Sequence, residues 1–487
     1  MPCTTLLVGR NASNDRSTMI ARTDDGHFDV KKMIVVEPEQ QKRKYHCVIS
    51  HLDIELPDNP MRYTACPSVD PKRGVWAATG INAAQVGMTA TETITSNPRV
   101  LGADPLVVYQ EAKKRGEKDV PGGIGEEDFV VLVLPYIHSA REGVLRLASL
   151  LEQYGTYEYN GIAFNDANEI WWMVTVGGHH WMARRVPDDV VAVVPNQFGM
   201  DSFDLDDAFG AQESHMCSAD LREFVAENHL DCNQNGVFNP RNVFGSHRDS
   251  DHIYNTPRAW FMGRTLAPHK YRWEGENPDF TPESDNIPWS FVPERKLAVE
   301  DVKYLLSAHY QGTPYDPYLA HDTGKRGVYR SIGINRTGVT SVCQIRPDVP
   351  EPIRGVEWIC YGSTAFDALV PIYPNVPKVP KYLSDVTLDV STENFYWASR
   401  LIGALADAHF GACMQHVERY QLAVFCRGRE LLHRYDKRMI ESGSYELASE
   451  ANEALCRMAK EETTKALNNV LLEASQHMKN GFKMEDR

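Results

Sequence analysis

The chain has 487 residues, 42% of them hydrophobic and 24% charged, with a formal net charge of −15. This balance suits a folded body able to bury a catalytic site and argues against long disorder, while the acidic charge disfavours nonspecific binding to nucleic acid or to anionic membrane. No apolar run approaches the ~20 residues of a membrane span and no secretory-signal pattern opens the chain, so a cytoplasmic protein is expected.

In chain order, "CTTLLVG" reads as a buried strand with Cys3 at its start, and "STMIARTDD" as a second strand that returns Arg22 to the Cys3 end, followed by Asp24 and Asp25. "KKMIVVEP", "HCVISHL" and "VWAATGIN" carry the same strand composition, and "GINAAQVGMTATET" reads as strand, turn and strand, with Asn82 and Glu92 facing one cavity. "PLVVYQEAKK" and "REGVLRLASLLEQYG" space their apolar residues at helical intervals, with Gly155 as a stop. "EIWWMVTVGGHHWMARRV" predicts an aromatic strand pair leading to Asn196 at the end of a further strand. His179 and His180 do not read as a zinc pair, because neighbours on a strand point to opposite faces.

From about 240 to 300 the sequence predicts irregular loops rich in Pro, Asn, Asp and aromatic residues, among them Arg258 in "YNTPRAW". "DVKYLLSAHYQG" reads as a helix, "SVCQIRP" and "GVEWICYG" as strands, and "PIYPNVPKVPKYL" as a stiff connector before a helical segment from about 392 onward. Strand runs with helices set apart give an α+β class. No phosphate-loop, HExxH or EF-hand pattern is present, and no two of the ten cysteines have CxxC spacing. Neither a cofactor nor a metal is expected.

The chemistry centres on Cys3. Removal of Met1 and Pro2 would place a free α-amine on the residue that carries the thiol, and such an amine titrates near ~7.7–8.0, suitable for a general base at working pH. Arg22 would favour the thiolate. Asp25 could hold the amine or the arginine, with Asp24 the less suited of the two; a solvated hairpin ion pair is the alternative. Asn196 could offer its side-chain amide with a backbone N–H to an oxyanion, or simply cap a loop. Asn82 could equally only shape its turn.

Together with "HYQGTPYD" and "GVEWICYGSTAFDALVPIYPNV", these segments resemble the N-terminal-nucleophile cysteine dipeptidases of the dipeptidase A type over roughly residues 3 to 400. The resemblance implies an αββα sandwich of two antiparallel sheets between helical layers, hydrolysis of dipeptides with broad tolerance, no metal, and a homo-oligomer. It implies residues 1–2 removed on maturation and a catalytic domain from residue 3, taken to 385; the helical segment over 386–487 is either a separate domain or helices packed on the core, and the lack of a Gly/Ser linker before it favours the second. It casts Cys3 as nucleophile, Arg22 and Asp25 as its neighbours and Asn196 as the oxyanion residue. Glu92 stands where related acylases carry asparagine, a carboxylate that could bind a free amine, and Arg258 matches their last active-site arginine. A related amidase acting on N-acylated amino compounds and a secernin-like regulatory protein are the alternatives.

Overall fold

The structure, a computed structural model, describes residues 3–26, 29–321 and 324–478. The expected removal of residues 1 and 2 lies outside them. Every residue of the strand Cys3–Val8 is buried, as befits a central strand covered on both faces. It pairs antiparallel with Thr18–Asp24 on one side and Val191–Val194 on the other. The seven-stranded sheet continues through Val339–Ile345, Gly355–Tyr361 and Val370–Ile372 on one flank and ends at Ser290–Phe291 on the other.

A six-stranded antiparallel sheet lies against it, with Ile170–Thr175 paired between Gly161–Asn165 and Trp181–Arg185. Because side chains alternate along a strand, the first sheet divides its residues between two cores. Leu7 and Ile20 meet Ile81, Ala163 and Trp172 between the sheets, whereas Leu6, Val8 and Ala21 face a helical layer containing Trp260 and Leu305. On the far side Trp171 and Met173 pack on Val144, Leu147 and Leu151 of the helix Ala140–Tyr154. Gly155 ends that helix at φ 68°, a left-handed geometry that glycine tolerates. The result is the expected α+β sandwich, helix on sheet on sheet on helix.

The helices Phe395–Ala408, Phe410–Ser442 and Leu447–Gln476 follow. Asn452 is fully buried and exchanges two hydrogen bonds with the Tyr373 main chain, each 2.9 Å, and Arg346 pairs with Asp436 at 2.6 Å. These contacts tie the helices to the edge of the first sheet. Among the described residues no helix is long and apolar enough to cross a membrane.

Three expected elements differ. "HCVISHL" forms a tight turn between the strands Lys44–His46 and Asp53–Glu55, because the backbone N–H groups of Val48 and Ile49 donate to the Glu127 carboxylate instead of to a neighbouring strand. "PLVVYQEAKK" is not helical: Val107 donates to the Thr156 carbonyl, Gln110 bridges to Val120, and Val108 remains about half exposed. Within the expected loop region Thr256–Leu266 is a buried helix that starts with Pro257 in its first turn, where the missing N–H costs nothing.

Candidate active site

Cys3 has no exposed surface, and its main chain and side chain are held from three directions. Antiparallel pairing sets Cys3 opposite Asp24 and Thr5 opposite Arg22, so all four side chains share the face that looks between the sheets. Arg22 Nη2 lies 3.0 Å from Cys3 Sγ. The same nitrogen pairs with Glu126, and Nη1 donates to the Ala78 carbonyl at 3.3 Å. Burial pushes the Cys3 thiol well above its ordinary range; Arg22 opposes this, while Glu92, Glu126 and Asp24 reinforce it. In this geometry the thiol keeps its proton, so the site needs a base.

The Cys3 main-chain nitrogen donates to Asn196 Oδ1 at 2.9 Å. Asn196 follows the strand Val191–Val194 by two residues and has φ 58°, a left-handed conformation that asparagine adopts more readily than other side-chain-bearing residues. That turn aims its side chain back at Cys3. Arg258 Nη2 also donates to Oδ1, at 2.9 Å, and two donors on the oxygen fix Nδ2 on the opposite edge, 3.2 Å from the Thr93 carbonyl. The Asn196 N–H donates to Glu92 Oε1 at 2.7 Å.

Arg258 approaches from the helix Thr256–Leu266 on the other face of the sheet. Nη1 donates to the Cys3 carbonyl and to Thr4 Oγ1, Nη2 to the Pro195 carbonyl and Asn255 Oδ1 as well as to Asn196, and Nε to the Tyr254 carbonyl. Burial, then the neighbouring Arg330, pull its pKa down to about 9 against the attraction of Glu92, which leaves it charged near neutrality. Its donors are thus engaged by the Cys3 backbone, Asn196 and their neighbours, while Arg258 also lines a cavity.

The two aspartates exchange places relative to expectation. Asp24, on the Cys3 face, lies 3.8 Å from Arg22 and 3.1 Å from Lys31. Asp25 lies past the strand end and accepts instead from Arg330 Nη2, from Thr337 Oγ1 at 2.7 Å and from Thr23 Oγ1 at 3.3 Å. Thr23 in turn accepts from the Thr4 N–H at 3.1 Å, which links Asp25 indirectly to the nucleophile strand.

Glu92 joins the cluster, whereas Asn82 takes its turn-shaping alternative. Glu92 has no exposed surface and sits beneath Asn196, one oxygen on the Asn196 N–H and the other accepting from Thr5 Oγ1 at 2.8 Å. Asn82 is not brought to the cluster. Its amide donates to the carbonyls of Leu134 and Ile137 and its oxygen accepts from the Val86 N–H, so it closes the turn before Gly87–Thr89. His179 and His180 both turn their Nδ1 atoms toward Asp104 in the bend before Trp181, rather than splitting across a strand.

Desolvation raises the Glu92 pKa to about 7, although Arg258, the Thr5 hydrogen bond, Arg22 and the Asn196 N–H all oppose it. A carboxyl raised on folding leaves the native state with more bound protons than the unfolded chain between its ordinary value of 4.5 and about 7. Stability therefore falls as pH rises through that window. Glu92→Gln should remove this component, so the variant gains on the wild type by up to about 3 kcal/mol between pH 5 and pH 8 in urea titrations. A constant difference between the two proteins would contradict it.

Glu126, in "GIGEEDF", and Arg330, in "GVYRSIG", join the site without having been singled out. The acidic run in a glycine-rich loop was a usable signal for the first; nothing local marks the second. Asn196 and Arg258, which touch the Cys3 main chain, form part of the wall of a cavity of about 420 Å³.

The sequence matches the family model Peptidase family C69 over residues 2–423. It is 50% identical to a dipeptidase of Bifidobacterium longum (strain NCC 2705), with 100% of each chain covered, and 40% identical to dipeptidase A of Lactobacillus helveticus, with 91% of this chain and 90% of that one covered. A cysteine clamped by arginine and asparagine at the head of a central strand thus lies inside a match that runs through the catalytic body, and the chain belongs to peptidase family C69.

Proposed function

We propose that the protein is a dipeptidase whose nucleophile is the Cys3 thiol and whose general base is the Cys3 α-amine, exposed by cleavage of the Pro2–Cys3 bond. The supporting observation is the clamp on that one residue: Sγ on Arg22 Nη2 at 3.0 Å and the main-chain nitrogen on Asn196 Oδ1 at 2.9 Å. A buried thiol that retains its proton needs a base within reach, and an amine on the same residue supplies one without a histidine.

In this reading the thiol proton passes to the amine as Sγ bonds to the scissile carbonyl carbon. The Asn196 amide and Arg22 face the negative charge that develops there. The C–N bond then breaks, the leaving amine takes the proton, and water attacks the thioester to release the acid and restore the thiol. Asp25 acts as a positioning residue through Thr23 and Arg330, and Glu92 through Asn196. Maturation uses the same sulfur on the Pro2 carbonyl, followed by hydrolysis of the thioester, and intact mass of active protein should show a chain that begins at Cys3. Full activity in protein that retains Pro2 would exclude the amine as base.

Glu126 Oε2 is buried without a hydrogen-bond partner among the described residues, on the arginine that touches Sγ. It is suited to the free ammonium of a dipeptide, which lies next to the scissile carbonyl. Blocking that amine with an acetyl group is expected to lower kcat/KM by about a hundredfold or more, because Oε2 of that carboxylate then stays unmatched. Preferential turnover of the acylated compounds would instead support the amidase alternative. Lack of turnover of every peptide, with Cys3 inert to a thiol-directed probe, would support the regulatory one.

All ten cysteines are free thiols, which fits a reducing cytoplasm. Exposed Leu422, Leu471 and Leu472 on the C-terminal helices are suited to a homo-oligomeric contact, which sedimentation of the purified protein would detect.

A further inference from the structure

The cavity walled by Asn196 and Arg258 is strongly basic. Arg248, Arg258, Arg330 and Arg336 line it against one carboxylate, Asp251, whose oxygens already accept from Ser246, the Arg248 N–H and Asn255. Arg330 is the distinctive member. Its side chain is 6% exposed, its backbone N–H donates to the Ile253 carbonyl at 3.1 Å, and its carbonyl accepts from Tyr310 Oη at 2.7 Å. Asp25 engages Nη2, but Nε and Nη1 are buried with no hydrogen-bond partner among the described residues. Donors of this kind are costly to leave unmatched, and a carboxylate that accepts from either one gains a charge-assisted hydrogen bond.

We infer that Arg330 is the specificity-determining residue that receives the substrate's C-terminal carboxylate, so that the site selects dipeptides by the position of that charge. The assignment rests on the dipeptidase reading above. In a dipeptide the carboxylate is separated from the scissile carbonyl only by the nitrogen and α-carbon of the leaving residue. A cation that reads it must stand close to the nucleophile. Arg330 meets this condition, since the cavity it lines is also walled by Asn196 and Arg258, which touch the nitrogen and carbonyl of Cys3. Arg330 also borders a cavity of about 520 Å³ lined by Tyr318, Phe366 and Arg400, but none of the residues that clamp Cys3 reaches that space. Asp25 and the pinned backbone fix the guanidinium before substrate arrives, which lowers the entropic cost of recognition. A longer peptide would place an uncharged peptide group where the carboxylate belongs, and a C-terminal carboxamide would turn N–H donors toward N–H donors.

The test compares the mature wild-type enzyme on alanylalanine and on alanylalanine amide, followed by Arg330→Lys on both. The wild type should hydrolyse the amide with kcat/KM lower by about a hundredfold or more, mainly through KM. Arg330→Lys keeps the charge opposite Asp25 but places no donors where Nε and Nη1 stand; it should lower kcat/KM on the free dipeptide at least about tenfold more than on the amide, so that the ratio between the two substrates contracts. Equal hydrolysis of both substrates by the wild type would overturn the assignment and leave the dipeptidase reading standing, and that comparison needs no variant to fold. Equal losses on both substrates in Arg330→Lys would also overturn it. Absence of hydrolysis of any free dipeptide would instead overturn the dipeptidase reading and the assignment with it.

Discussion

Cys3→Ala is expected to lower kcat/KM on free dipeptides by about 10⁴-fold or more and to abolish the thioester, while stability to urea changes by less than about 1 kcal/mol. The two effects separate because Sγ is one contact among several for its partner. Arg22 retains Glu126 and the Ala78 carbonyl when the sulfur is gone, and the main-chain bonds of residue 3 to Asn196 and Arg258 do not involve the side chain. Cys3→Ser would keep the hydrogen bond to Arg22 with a poorer nucleophile and should retain weak activity. Trapping with a chromogenic substrate, read by intact mass, checks the covalent species. Hydrolysis by Cys3→Ala at a wild-type rate would remove the sulfur from the mechanism altogether.

Arg258→Met should destabilise the protein by about 3–5 kcal/mol, the largest stability effect expected of any single change at the site. Its guanidinium serves the Cys3 carbonyl, Thr4, Pro195, Asn196, Asn255 and Tyr254 at once. Methionine fills much of the volume and satisfies none of those acceptors. It also removes the charge that most opposes the rise of the Glu92 pKa, so the pH window over which Glu92 weakens the fold should move further upward. Arg258→Lys should recover part of the stability by restoring the charge, but not the geometry of the fork. Equilibrium urea unfolding of the three proteins at pH 5 and pH 8 measures both effects, and a loss below about 1 kcal/mol in Arg258→Met would show that water replaces those bonds at little cost.

The parts of the site that could be read from the sequence are those whose placement is local. A continuous apolar run bounded by turn residues sets Cys3–Val8 and Thr18–Asp24 as strands, and the hairpin between them fixes Arg22 near the thiol before any tertiary contact is known. Asn196 was visible for the same reason, as a polar residue just beyond a β-branched strand. The order of Asp24 and Asp25 was not, because it depends on which residue is the last to obey strand alternation. "HCVISHL" was lost to Glu127, a carboxylate 78 and 79 residues away that binds the N–H groups a strand would have offered. Arg258 could be singled out, but its work on the Cys3 carbonyl exists only once its helix has docked on the sheet. Glu126 sits in an acidic run that could have marked it, whereas Arg330 has no sequence neighbour that reveals it, since it takes its role from Asp25, 305 residues away.

Those separations have a consequence for when the protein acquires its chemistry. Cys3 precedes every one of its partners in order of synthesis: Asn196 comes 193 residues later, Arg258 255 later, and Arg330 reaches Asp25 across 305. Contacts this distant form late, because the entropy of closing the intervening loop must be overcome before the contact contributes. A partly synthesised chain on the ribosome can carry the first hairpin, and with it the thiol beside Arg22, but neither the asparagine nor the guanidinium that fix the nucleophile. The set of contacts around Cys3 and Asp25 is thus complete only after translation has passed Thr337, and an incomplete chain carries the thiol without the full frame that holds it.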